Sequence, residues 1–135
     1  MQNKGGRVKL GIILAVIVAG FAGVLFFTHG SAKTTASTLS FKKVQADMAK
    51  GGQLIDVRTP AEFGSGHISG SVNLSLQDMQ QGILPTVAKT QPVYVYCHTG
   101  NRSSQATVIL KAAGYNVIDL GAITHVESIG GTLTN

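Results

Sequence analysis

From residue 39 onward, short β-branched or aromatic runs alternate with segments of helical spacing, joined by connections only a few residues long. Residues 53–57 (QLIDV), 71–74 (SVNL), 92–96 (PVYVY) and 116–120 (NVIDL) read as strands, and residues 39–41 as a short first strand. A helix is expected over 43–50, where Val44 and Met48 share a face and Gly51-Gly52 stop the run. Further helices are expected over 60–63 behind Pro60, over 76–88 with a break at Pro85, and over 123–129. Over 103–113, Ala106, Ile109, Leu110 and Ala113 recur at helical spacing. Such alternation predicts an α/β fold, a central, mostly parallel sheet flanked by helices, with functional loops at the carboxyl ends of the strands. Asp56-Val57-Arg58 and Cys97 both fall at such ends.

The residues before this domain follow a different rule. Lys4, Arg7 and Lys9 precede an uncharged run over 10–27, after which Gly30-Ser31-Ala32 returns to small residues. That run is somewhat long for a signal-peptide core of about 7–15 residues and at the short end for a membrane span of about 17–25. Residues 1–32 therefore read either as a signal peptide cleaved near Gly30-Ser31-Ala32 or as an N-terminal hydrophobic helix anchored in a membrane, the anchor being preferred. Ala15, Ala19 and Gly23 stand at four-residue spacing, which permits close helix pairing. Because the basic residues come first, the positive-inside rule keeps the N-terminus cytoplasmic and sends the remainder across. The expected address is the cell envelope, a bacterial inner membrane with the domain facing the periplasm, or the soluble periplasm if the leader is cleaved. Residues 33–38, rich in Thr, Ser and Ala, read as a tether, leaving 39–135 as one domain with one modest core.

The formal charge of +5 does not point to nucleic acid, since three basic residues belong to the leader and the others form no basic stripe with interleaved aromatics. Cys97 is the only cysteine, so no internal disulfide can form, and its thiol is either buried and inert or kept for chemistry. Its setting favours chemistry. Cys97-His98-Thr99-Gly100-Asn101-Arg102-Ser103 lies between a strand-like and a helix-like run, where the unpaired N–H groups of the first helical turn stabilise a thiolate.

Three blocks, in order, carry a family resemblance. Residues 54–63 (LIDVRTPAEF), 66–74 (GHISGSVNL) and 96–103 (YCHTGNRS) resemble the successive signatures of single-domain rhodanese-like sulfurtransferases, and the similarity covers nearly everything after Leu39. The resemblance implies a rhodanese fold and a catalytic Cys97 that carries a transferable sulfur as a persulfide. A small sulfur-containing anion such as thiosulfate would be the donor, and cyanide, a small thiol or a protein thiol the acceptor. No metal or organic cofactor is implied. His98, Thr99, Gly100, Asn101, Arg102 and Ser103 would cradle the sulfur, their N–H groups forming a nest, with Gly100 easing the tight φ angles and Arg102 supplying a fork of donors for an oxyanion. Asp56, Arg58 and Glu62 match family positions beside that loop, where bonding loop backbone groups suits them better than direct chemistry.

Other readings compete for the same residues. Cysteine-dependent phosphatases place five residues between cysteine and arginine, whereas Cys97 and Arg102 enclose His98, Thr99, Gly100 and Asn101 alone. The shorter cradle suits a sulfur atom better than a tetrahedral phosphate or arsenate. Arg102 also suits a simple pairing with a carboxylate, and His67 the buttressing of a turn. His67, His98 and Cys97 lack the ligand pair at metal spacing that a metal site needs. Two departures from the family pattern stand out. His98 takes a place often held by arginine, making the entrance less positive, and Val126 takes one usually held by tryptophan, which should alter the packing of the last helix. A non-catalytic rhodanese-like binding or sulfur-carrier module at the membrane is the second reading, and the intact cysteine loop favours the enzyme.

Overall fold

Pro92-Val93-Tyr94-Val95-Tyr96-Cys97 carries no charged residue on either face, the pattern of a strand covered on both sides. In the computed structural model, which describes residues 38–135, this segment is an inner strand of the sheet, paired on both edges. The elements in chain order are α1 (Phe41–Met48), β1 (Gln53–Asp56), α2 (Pro60–Gly64), β2 (His67–Ile68), β3 (Val72–Asn73), α3 (Leu76–Gln80), β4 (Pro92–Cys97), α4 (Asn101–Ala112), β5 (Asn116–Ala122), α5 (Ile123–Ser128) and β6 (Leu133–Thr134). The main sheet runs β3-β1-β4-β5 with every pairing parallel. A separate antiparallel pair joins β2 to β6.

The two-residue period of β4 sorts its side chains between two cores. Val93, Val95 and Cys97 face one way and pack with Ile55, Val57, Leu76, Met79, Ala106, Leu110 and Val117, the face covered by α3 and α4. Tyr94 and Tyr96 face the other way, among Phe41, Val44, Leu54, Ile68, Leu120, Ile123 and Val126, under α1 and α5. Each fully buried aliphatic side chain contributes about 1.5–3 kcal/mol, so the two layers supply the main stabilisation. The tyrosine hydroxyls are not orphaned. Tyr94 donates to Asp47 at 2.6 Å, and the Tyr96 hydroxyl accepts from the Ile68 N–H at 3.0 Å. Burial pushes the Tyr96 phenol up to about 12, so it stays neutral.

The α/β layout, the parallel sheet and the flanking helices agree with the sequence reading, and several boundaries move. Residues 39–41 form no strand; Phe41 opens α1 instead, its side chain buried and its N–H bonded to the Ile129 carbonyl at 2.9 Å. The expected helix over 76–88 ends at Gln80, because Gly82 adopts φ +89° and turns the chain before Pro85 is reached. Helix α4 begins at Asn101 rather than at residue 103, which places Arg102 in its first turn. The β2–β6 pair was not foreseen, being two residues per strand and joined across the length of the domain. Among the described residues no helix is long and apolar enough to cross a membrane. The signal or anchor expected over 1–32, and the tether except for its last residue, lie outside the described residues.

Candidate active site

Strand β4 delivers Cys97 to the carboxyl edge of the sheet, and the chain then makes one tight turn into α4. Gly100 occupies the N-cap of α4 with φ +95° and ψ −12°, a left-handed conformation that a side chain would strain by about 1–2 kcal/mol. That turn points the Gly100 N–H back at the Cys97 Sγ, 3.0 Å away. The backbone N–H groups of Ser103, Gly100 and Thr99 converge on the same sulfur, and the buried Ser103 hydroxyl lies within reach of it. The same hydroxyl bonds the Gly100 carbonyl at 3.0 Å. Burial raises the thiol pKa most strongly of any single effect, yet the donors together outweigh it and leave it below the ordinary value of 9.0. The sulfur is fully buried beneath its own loop, of which His98 and Thr99 are exposed.

Neighbouring strand β5 shapes the floor of this loop. Its register against β4 slips by one residue, so that Val95 faces Asp119 while Tyr96 faces Gly121. Gly121 takes φ +74° at the bulge, and a Cβ on Gly100 would come within 3.5 Å of the Gly121 Cα. Asp119 secures both sides of the junction. Its carboxylate accepts from the Gly121 N–H at 2.8 Å and from the Ser104 hydroxyl, in the first turns of α4, at 3.1 Å.

Arg102 does not present an open fork. Its Nη1 and Nη2 donate to Glu62 Oε2 and Oε1 at 2.6 and 2.8 Å, so the donors expected to meet an incoming oxyanion are closed on a carboxylate. Glu62 is held in turn by α2. Thr59 at the N-cap donates its N–H and its hydroxyl to Glu62 Oε2, and Glu62 returns its backbone N–H to the Thr59 hydroxyl, a complete capping box. The Arg102 guanidinium, with the Thr59 donors, holds the Glu62 carboxyl down at about 2. The pattern Thr59-Pro60-Ala61-Glu62 is a readable capping signal, whereas its link to Arg102 spans forty residues and has no local trace.

Asp56 and Arg58 act on the scaffold beneath. Arg58 grips the fully buried Asp56 carboxylate with Nε and Nη2, the closest contact being 2.6 Å, and its Nη2 also donates to the Gly66 carbonyl. The Asn73 amide bridges the carbonyls of Asp56 and Arg58 at 3.0 and 2.9 Å. These bonds pin the chain between β1 and β3. His67 stacks on Phe63 at 3.7 Å and meets the Phe63 carbonyl through Nδ1 at 3.0 Å. Among the described residues no three His, Cys, Asp or Glu side chains gather as metal ligands would. Beside the cysteine loop, a cleft of about 250 Å³ opens between α3 and α4, lined by Val57, Thr59, Ser75, Leu76, Gln77, Gln80 and Arg102. The sequence pattern had singled out neither glutamine.

A parallel α/β sheet that presents one cysteine sulfur to a nest of backbone N–H groups at a helix N-terminus defines a class of proteins that hold sulfur or a small anion on cysteine. Comparison with known proteins narrows the class. Residues 40–122 match the family model of the rhodanese-like domain, and the chain belongs to that family. It is 38% identical over 78 residues to the thiosulfate sulfurtransferase PspE of Escherichia coli, a match covering 57% of this chain and 67% of that one. It is 33% identical over 103 residues to YqhL of Bacillus subtilis, covering 76% of this chain and 80% of that one. Among solved structures, an Escherichia coli rhodanese with anions superimposes with a TM-score of 0.55 at 30% identity, covering 62% of this chain and 98% of the other. A rhodanese-related protein from Thermoplasma volcanium gives a TM-score of 0.56 at 26% identity, over 71% of this chain and 95% of that one.

Proposed function

We propose that the protein is a sulfurtransferase that carries sulfane sulfur from a thiosulfate-like donor to cyanide or a thiol through a persulfide on Cys97. The observation that carries this reading is the Gly100 N–H aimed at the Cys97 sulfur from 3.0 Å, at the head of a loop whose amides lower the thiol pKa. The Cys97 thiolate attacks the outer sulfur of thiosulfate; the donor's S–S bond breaks and sulfite leaves with the electron pair, giving Cys97–S–S⁻. The same amides that favoured the thiolate then face the persulfide anion. Cyanide or a thiolate takes the outer sulfur, and the electron pair returns to Cys97. A compact donor suits a sulfur with no free surface of its own.

Support comes from the four-residue spacing of Cys97 and Arg102, too short for a phosphatase cradle, and from relatives named as thiosulfate sulfurtransferases in Escherichia coli and Tolumonas auensis. We further place the domain outside the cytoplasm, tethered by the apolar run over 10–27, on the strength of the basic residues that precede that run. The first test is thiosulfate-to-cyanide transfer by the purified chain beside Cys97→Ser, with intact mass recorded after thiosulfate alone. Thiocyanate that disappears in the serine variant, together with a one-sulfur mass gain on the wild type, is the expected result. A folded wild type that gains no sulfur and makes no thiocyanate overturns the proposal.

A further inference from the structure

Val57 and Leu76 share one core face with Cys97, and the same two side chains floor the cleft between α3 and α4. Arg102, in the first turn of the helix that follows Cys97, lines it as well, yet thiosulfate and cyanide have no body large enough to need it. At about 250 Å³ it lies just below the range of roughly 300–1,000 Å³ that holds drug-sized ligands, which suits a molecule of amino-acid-amide size.

Its chemistry is neutral. Gln77 and Gln80 stand exposed three residues apart on α3, each amide offering both a donor and an acceptor. The Ser75 hydroxyl is committed to Asp78 at 2.7 Å and the Thr59 hydroxyl to Glu62 at 2.9 Å. The one cation on the wall, Arg102, has its charge cancelled by Glu62 in a two-pronged pair. An anionic body gains little there, while amides over an aliphatic floor find matching partners.

We infer that this cleft receives the carbon body of a small, uncharged, amide-bearing thiol, the acceptor that unloads the Cys97 persulfide. The inference rests on the persulfide reading above. The acceptor thiolate RS⁻ attacks the outer sulfur, forming R–S–S⁻, as the Cys97–S bond breaks and its electron pair returns to the Cys97 thiolate. No oxidant or reductant is consumed, and in reverse the same cleft accepts an organic persulfide as donor.

The full-length chain is loaded with thiosulfate, its one-sulfur mass gain confirmed, and then discharged with either N-acetylcysteinamide or cyanide. Wild type is compared with the double variant Gln77→Ala, Gln80→Ala and with Gln80→Trp, which narrows the cleft. Loading of each variant serves as its folding control. The expected result is a roughly tenfold fall in the discharge rate constant for N-acetylcysteinamide in the double variant, the effect of losing two ordinary hydrogen bonds, and a fall in the Gln80→Trp variant as the cleft is filled, with cyanide discharge unchanged in both. Variants that load normally and discharge to both acceptors as the wild type does, or that slow toward both alike, overturn the cleft assignment alone. A wild type that never loads overturns the sulfurtransferase reading and this inference with it.

Discussion

At Cys97 two opposed effects meet, burial that favours the neutral thiol and backbone N–H groups that favour the thiolate, and the second prevails. The rate of alkylation by iodoacetamide should therefore rise with pH through an inflection below the ordinary thiol value of 9.0, and Gly100→Ala should move that inflection upward by withdrawing the N–H now 3.0 Å from the sulfur. Because the folded-state pKa is depressed, the contribution of the thiolate to stability is complete above the unfolded value and fades as pH falls through the folded one. Glu62 obeys the same sign in a lower window. With its carboxyl held at about 2 against an ordinary 4.5, its advantage is present above 4.5 and is lost as pH drops toward 2. Denaturation of Glu62→Gln beside wild type should show a stability gap at pH 6 of about 1 kcal/mol, the usual worth of a lost cap or an exposed ion pair, closing below pH 3. A gap that persists unchanged in acid would remove the Arg102 pairing from the account. The candidacy of Cys97 was legible because a strand ending and a helix beginning are local patterns. The engagement of Arg102 was not, since its partner lies forty residues away.

Among the elements, α4 and α5 show how far local pattern reaches. The apolar spacing of α4 was readable; its stop is built by Gly114 at φ +90° and Tyr115, which return hydrogen bonds to Lys111 and Leu110. The place of Val126 in α5 raised the question of what fills the volume a tryptophan would occupy. The following turn does so. Val126 is fully buried, and Gly131 folds over it with its N–H on the Val126 carbonyl at 2.8 Å. A Cβ on Gly131 would sit 2.8 Å from that carbonyl oxygen and 2.9 Å from Val126 Cγ1. Gly131→Ala should accordingly cost about 1–3 kcal/mol, the range for overpacking a filled site, measured by urea denaturation. Loss of less than a few tenths would mean that the turn relaxes freely and that Val126 is not locked beneath it.

Across the whole domain, the buried Asp56–Arg58 pair ties the end of β1 to the turn before β2 and, through Asn73, to β3. Arg58→Ala strands a fully buried carboxylate, a change that costs about 3–5 kcal/mol and lowers the melting temperature of a domain this size by more than about 12 °C. Removing both charges together as Asp56→Asn, Arg58→Met should recover part of that loss, and a double variant as unstable as the single one would show that the hydrogen bond to the Gly66 carbonyl matters more than the charge. Binary pattern and glycine placement, properties of neighbouring residues, determined by themselves that the chain forms an α/β layer structure with Cys97 at the mouth of a helix. The tertiary structure alone decided that Glu62 closes on Arg102, that a slipped register at Gly121 floors the cysteine loop, that β6 returns to pair with β2, and that a cleft opens beside Arg102 at the start of α4. Each of these depends on which distant segments pack together, and that is settled by burial and hydrogen-bond satisfaction summed over the domain rather than by any one stretch of sequence.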